Sequence, residues 1–80
     1  MSIRVLIVDD HPIVRAGLRA VVESRGFTVI GEAGTGEEAV AAASALHPDV
    51  VLCDLRLGEG IDGVATTAAL RASDEPPAVI

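Results

Sequence analysis

The stretch Ile3-Arg4-Val5-Leu6-Ile7-Val8-Asp9-Asp10 carries an apolar run into two adjacent carboxylates, and Val50-Val51-Leu52-Cys53-Asp54 repeats this pattern further along the chain. Apolar runs of this length are typical of parallel strands that are covered by helices on both faces. Two such strands in one sheet bring Asp9, Asp10 and Asp54 to the same carboxyl edge, where open α/β sheets bind their ligands. Clustered carboxylates repel one another, and a hard divalent cation such as Mg²⁺ compensates them because it prefers oxygen ligands.

The rest of the chain predicts an alternation of helices and strands. Pro12 suits the first turn of a helix that Gly26 ends. The residues of its predicted inner face recur with helical spacing: Ile13, Val14, Gly17, Leu18, Val21 and Val22. We expect an edge strand over residues 27–33, a helix over 37–46, the strand 49–53, a helix over 64–72 and the start of a fourth strand at 78–80. This order predicts a parallel sheet with right-handed crossovers. Because an apolar strand rarely ends a domain uncovered, we expect the 80 residues to be an incomplete domain.

Composition excludes several classes of function for this stretch. The net charge is −6, the six basic residues are all scattered arginines, and no basic patch for nucleic acid is present. No apolar stretch reaches the roughly 20 residues of a membrane helix, and Met1 leads directly into a strand without a signal peptide. Cys53 is the only cysteine, which excludes a disulfide framework and favours a reducing compartment. We therefore expect a cytoplasmic domain that contacts neither membrane nor DNA itself.

Two motifs then point to a family. Val8-Asp9-Asp10-His11 after the first strand and residues 51–57, Val-Leu-Cys-Asp-Leu-Arg-Leu, around the end of the third strand together resemble the receiver domain of two-component response regulators. The resemblance covers residues 1–80 and about the first two thirds of that domain. It implies a doubly wound, flavodoxin-like α/β fold with strand order 2-1-3-4-5. We expect the 80 residues to stop within the fourth strand of that fold.

The resemblance also implies a site and its partners. Asp54 would accept a phosphoryl group from a sensor histidine kinase in a Mg²⁺-dependent step. Asp10, Asp54 and the backbone carbonyl of Arg56 would ligate the ion, and Asp9 would act mainly through a metal-bound water. Such a domain is a signalling module and not an enzyme, with self-phosphorylation and autodephosphorylation as its only chemistry.

Residues 9–18 and Gly31-Glu32-Ala33 are similar to the NarL/LuxR-type subfamily, in which a helix-turn-helix DNA-binding domain follows the receiver. This similarity implies transcription control through a domain that the 80 residues do not contain. The Ser or Thr and the Lys that receivers carry after their fourth and fifth strands are also not among these residues. Gly63 follows Asp54 by one residue more than is usual, which predicts a longer acceptor loop. An incomplete sheet would pair with another copy, so we expect a dimer or larger assembly.

Other interpretations stay open at this point. Asp10 could simply cap the helix that begins at Pro12. Residues 34–39, Gly-Thr-Gly-Glu-Glu-Ala, match the dinucleotide-binding fingerprint, although the two glutamates oppose a pyrophosphate there. A hydrolase of the haloacid-dehalogenase type and a receiver-shaped interaction module without phosphorylation are further alternatives. Arg15 and Arg19 are expected on an ordinary solvated face, and neither His11 nor His47 is expected to have a chemical role.

Overall fold

The computed structural model describes residues 2–54, 63–72 and 76–80, and every helix and strand predicted from the sequence is present. In chain order the elements are β1 (Arg4–Asp9), α1 (Pro12–Ser24), β2 (Thr28–Ala33), α2 (Gly36–Leu46), β3 (Val50–Asp54), α3 (Gly63–Arg71) and β4 (Ala78–Val79). No helix in the described part of the chain has the length and hydropathy of a membrane span.

The strands form one parallel sheet in the order β2-β1-β3-β4. This confirms the flavodoxin-like order for the strands that are described. The chain moves outward from β1 to β2 and then returns past β1 to β3. The strand order therefore reverses between β1 and β3, and in doubly wound sheets such a switch point opens a crevice at the carboxyl ends of the strands.

The core has two halves because the central strand β1 is buried on both faces. Leu6 and Val8 face α2 and α3, whereas Val5 and Ile7 face α1. Side chains of successive strand residues point to opposite faces, so a strand covered on both sides needs an unbroken apolar run. The first half contains Leu6, Val8, Ala33, Ala39, Val51 and Leu70, and the second contains Val5, Ile7, Val22 and Val29. Cys53 packs against the first half, as expected of a small core residue.

Helix α1 uses only part of its predicted apolar face. Val22 is buried and Leu18 packs beside it, but Ile13 is 87% exposed and Val21 is 57% exposed. Leu18 and Val22 are four residues apart and define one stripe, while Ile13, Gly17 and Val21 define another that is rotated by about 100°. The helix rests on the sheet through the first stripe, and the second faces away from the described residues.

The carboxyl end of α2 is closed by its C-cap residue His47 and by an arginine from β1. Arg4 donates from Nη1 to the carbonyl oxygen of His47 at 2.7 Å and from Nη2 to that of Leu46 at 2.6 Å. His47 itself takes a left-handed conformation with φ of 51°, which ends the helix. The Arg4 guanidinium on β1 thus satisfies two carbonyl oxygens at the end of this helix.

Candidate metal centre at the carboxyl edge of the sheet

The backbones of two predicted site residues lie side by side. The parallel register of β1 against β3 pairs Val8 with Cys53 and ends by pairing Asp9 with Asp54. Neighbouring strands are about 4.8 Å apart. Of Asp54 the structure describes the backbone, and Arg56, the predicted carbonyl ligand, lies outside the described residues.

Asp9 is a buried carboxylate with one unsatisfied oxygen. Only 1% of the residue is exposed. Its Oδ1 accepts a hydrogen bond from the backbone N–H of His11 at 2.7 Å, whereas its Oδ2 has no hydrogen-bond partner among the described residues. A buried charged oxygen without a partner costs free energy. A cation, or a water bound to one, would satisfy it, so this residue fits the predicted Mg²⁺ centre.

Asp10 and His11 complete a compact donor set. Nδ1 of His11 lies 2.9 Å from Oδ1 of Asp10 and 3.9 Å from Oδ1 of Asp9. One donor atom from each of these three residues lies within 4.8 Å of the others, a spacing that one metal ion can bridge. The side chain of Asp10 is 32% exposed and that of Asp9 is 2% exposed, so the carboxylate of Asp10 is the more accessible of the two. His11 follows the two acids in the sequence, but the contact of its ring with the Asp10 carboxylate was not predicted.

The helix-cap interpretation of Asp10 is wrong. The N-cap residue of α1 is His11, and no side chain accepts a capping hydrogen bond there. Asp10 precedes the cap and turns its carboxylate to the His11 ring. Its side chain therefore lies in the cluster with Asp9 and His11 and does not cap the helix.

Arg15 reaches this site, contrary to the expectation that it lies on an ordinary solvated face. Its Nη1 donates to the backbone carbonyl oxygen of Asp9 at 2.9 Å, and its Nε donates to Oε1 of Glu32 at 3.1 Å. Arg19 shares the same glutamate, since its Nη1 donates to Oε2 of Glu32 at 2.6 Å. Two arginines of α1 thus hold one carboxylate of β2, and one of them also holds the end of β1.

The shared carboxylate has a perturbed pKa. The hydrogen bond from Arg19 lowers the pKa of Glu32; burial acts in the opposite direction, and Arg15 adds a further lowering. The same hydrogen bond raises the pKa of Arg19. Both groups therefore stay charged over the range in which proteins normally work.

The glycine-rich turn before α2 is closed by its own side chains. Oγ1 of Thr35, the N-cap residue, accepts from the N–H of Glu38 at 3.1 Å, and Oε2 of Glu38 accepts from the N–H of Gly34 at 3.0 Å. Glu37 and Glu38 place two acids in the first turn. A dinucleotide pyrophosphate would have to displace these contacts and meet the two charges, so this geometry opposes dinucleotide binding.

Comparisons with known proteins agree with the fold. The family model of the response regulator receiver domain matches residues 5–80. The transcriptional regulatory protein LiaR of Bacillus subtilis (strain 168) is 46% identical over 79 residues, which are 98% of this chain and 37% of LiaR. The chain thus spans little more than a third of that relative.

Solved structures give the same result. The signal receiver domain of the response regulator NarL from Mycobacterium tuberculosis has a TM-score of 0.85 and 40% identity, covering 98% of this chain and 63% of that one. A chain of the CheX–CheY–BeF₃–Mg²⁺ complex from Borrelia burgdorferi has a TM-score of 0.87 and 30% identity, covering 96% of this chain and 58% of that one. The 80 residues therefore belong to the receiver domain family of response regulators, the signalling modules of two-component systems.

Proposed function

We propose that Asp54 accepts a phosphoryl group from a sensor histidine kinase in a step that depends on Mg²⁺. The register of β1 against β3 supports this most directly, since it pairs Asp9 with Asp54 at the switch point of the sheet. Asp54 then lies beside a buried carboxylate whose Oδ2 has no hydrogen-bond partner among the described residues. The site needs no further nucleophile, because a carboxylate can itself attack phosphorus.

The transfer exchanges one bond to phosphorus for another. An oxygen of the Asp54 carboxylate bonds to phosphorus as the bond from phosphorus to the kinase histidine nitrogen breaks. That nitrogen keeps the electron pair and later takes up a proton. Little covalent chemistry falls to the protein in such a reaction, which depends on in-line placement and on neutralising the phosphoryl oxygens.

The residues that would hold the ion are Asp10, Asp54 and the backbone carbonyl of Arg56 as direct ligands, with Asp9 mainly acting through a bound water. A bound Mg²⁺ supplies positive charge that offsets the acids and the phosphoryl oxygens. Two features support this choice of ion: the unsatisfied Oδ2 of Asp9, and the presence of both BeF₃ and Mg²⁺ in the CheX–CheY complex, one chain of which is similar to this one.

The relatives suggest what the whole protein does when its receiver domain is phosphorylated, namely transcription control. LiaR is a transcriptional regulatory protein, and this chain spans 37% of its length. We infer that the whole protein is a cytoplasmic regulator that binds DNA through a further domain, as in the NarL/LuxR-type proteins. Phosphorylation would add negative charge to the acidic edge and change the contacts of neighbouring loops.

A labelling experiment tests the proposal. The protein is incubated with acetyl phosphate, and the added mass is measured with Mg²⁺ and with excess chelator. We expect one phosphoryl group with Mg²⁺, almost none with chelator, and none on Asp54→Asn. Asp49→Asn is the matched control, because Asp49 precedes the opposite end of β3 and its carboxylate accepts from the N–H of Arg4.

Two outcomes would count against the assignment. Undiminished labelling of Asp54→Asn would place the acceptor elsewhere, and labelling that resists the chelator would remove the metal. A wild-type protein that takes no label from acetyl phosphate and binds no beryllofluoride would favour the interaction module without phosphorylation.

A further inference from the structure

We propose that Arg15 is a positioning residue of the metal site, which holds the end of β1 so that Asp9 and Asp10 keep the spacing that a divalent cation needs. The inference relies on the proposed function for the identity of the ion. It goes beyond that function by giving a role to Arg15, which orients the metal ligands without being one of them.

Arg15 contacts the backbone on both sides of Asp10. Its side chain donates from Nη1 to the carbonyl oxygen of Asp9 at 2.9 Å, and its backbone N–H donates to the carbonyl oxygen of His11 at 2.9 Å. The second bond is the first intrahelical bond of α1 and would form with almost any residue there. The first depends on the guanidinium. Together they fix the two carbonyls that flank the accessible carboxylate of the site.

The guanidinium is itself held in one orientation. Nε of Arg15 donates to Oε1 of Glu32 on β2, and Glu32 is held from its other oxygen by Arg19 at 2.6 Å. Because the guanidinium is planar, fixing Nε also fixes the direction in which Nη1 points. The side chain of Arg15 is 23% exposed, against 44% for Arg19. A partly buried cation at this point also offsets some of the repulsion among the acids.

Gly34 leaves room for this arrangement. A Cβ atom placed on Gly34 would lie 3.1 Å from Nη1 of Arg15, tighter than an ordinary van der Waals contact. Gly34 is not among the glycines with positive φ, so its backbone conformation does not demand glycine. The first glycine of the turn before α2, which dinucleotide binding does not explain, is thus explained by the space that the Arg15 guanidinium occupies.

The test compares two arginines that share one carboxylate. Arg15→Met and Arg19→Met each remove an ion pair with Glu32, but only Arg15→Met removes the bond to the Asp9 carbonyl. Mg²⁺ affinity is measured by titration, and thermal unfolding is recorded without metal. We expect Arg15→Met to weaken Mg²⁺ binding by about tenfold, the low end for residues that orient metal ligands. Arg19→Met should weaken Mg²⁺ binding by less than about twofold, which is below the range for such residues. The two variants should lower the metal-free unfolding midpoint by similar amounts.

Two more variants separate positioning from general stability. Arg15→Lys keeps one donor but loses the planar fork, so it should recover part of the affinity that Arg15→Met loses. Gly34→Ala displaces the guanidinium without removing it and should weaken Mg²⁺ binding by a few-fold. Equal loss of affinity in Arg15→Met and Arg19→Met, or unchanged affinity in Arg15→Met, would overturn the proposal.

A metal-free measurement keeps the two proposals apart. The N–H of His11 donates to Oδ1 of Asp9, so hydrogen exchange of this amide reports the order of the site without any ion. We expect faster exchange in Arg15→Met than in Arg19→Met. If the wild type binds no Mg²⁺ but this difference is found, the metal assignment fails while the positioning role stands. Equal exchange rates in the two variants contradict the positioning role.

Discussion

Adjacent residues of one acidic pair have different environments at the end of β1. Asp9 still belongs to the strand and is buried beneath its neighbours, whereas Asp10 has left the strand and is partly exposed. The N–H of His11 already occupies one oxygen of Asp9. These environments agree with the roles proposed above, in which Asp10 contacts the ion directly and Asp9 acts mainly through a metal-bound water.

Glu32 should make stability depend on pH in the acidic range. Its pKa is lowered in the folded protein, so its ion pairs contribute stability that is fully present above its unfolded pKa of about 4.3 and is lost as the pH falls through the lower folded value. We expect Glu32→Gln to reduce the thermal midpoint by about 2 to 4 °C at pH 7, with the difference from wild type disappearing in strong acid.

Glu23→Gln is the control for this pH dependence, since among the described residues the Glu23 carboxylate pairs only with Nε of Arg19, at 3.4 Å. Its effect should be smaller than that of Glu32→Gln. Thermal unfolding followed by circular dichroism from pH 2 to 8 measures both variants. A difference between Glu32→Gln and wild type that stays constant over this whole range would contradict the role given to Glu32.

At the scale of elements, α2 begins with reciprocal side-chain contacts. Thr35 caps the N–H of Glu38, and Glu38 reaches back to the N–H of Gly34. Thr35→Ala should reduce the free energy of unfolding by about 1 kcal/mol, because it leaves a helix amide without its partner. Thr35→Ser keeps the hydroxyl and should stay close to wild type. Urea unfolding measures both, and equal stability of the two variants would show that this cap contributes nothing.

The elements were predictable from the sequence, but their contacts were not. Apolar runs and turn residues located the strands and helices because those signals are local. Helical periodicity could not decide which of two neighbouring stripes of α1 meets the sheet, and it placed Ile13 with the core although that residue is 87% exposed. The contact of Arg15 with the acidic site was not predicted either, because helical periodicity does not show which other element a side chain meets. The partner of Arg15, Glu32, is 17 residues away on another element, and only the packing of α1 on the sheet brings the two together.

At the scale of the whole molecule, strand order places the acidic site. The apolar runs alone predicted a parallel sheet, while the order 2-1-3-4 came from the resemblance to receivers. That order puts β1 next to β3, and their register then sets Asp9 beside Asp54. The longer acceptor loop that was predicted after Asp54 falls mostly outside the described residues. The predicted dimer stays a prediction.

The clustered carboxylates of the proposed metal site should lower the stability of the metal-free protein, because they repel one another. Mg²⁺ that binds only the folded state adds about 1.4 kcal/mol at ten times its dissociation constant. In a domain of this size that corresponds to about 5 to 10 °C in the unfolding midpoint. We expect this rise for the wild type and for Asp49→Asn, whose altered carboxylate lies away from the acidic edge.

Asp10→Asn should behave in the opposite way. Removing one of the clustered charges relieves repulsion, so the metal-free variant should unfold a few degrees above the wild type at pH 8. The same change removes a direct ligand, so Mg²⁺ should raise its midpoint little, and the order of the two proteins should reverse once the ion is present. Potassium chloride at matched ionic strength separates binding from screening. If potassium chloride raised the wild-type midpoint as much as Mg²⁺ does, or if Asp10→Asn gained as much from Mg²⁺ as the wild type, the carboxylates at the end of β1 would not be holding the ion.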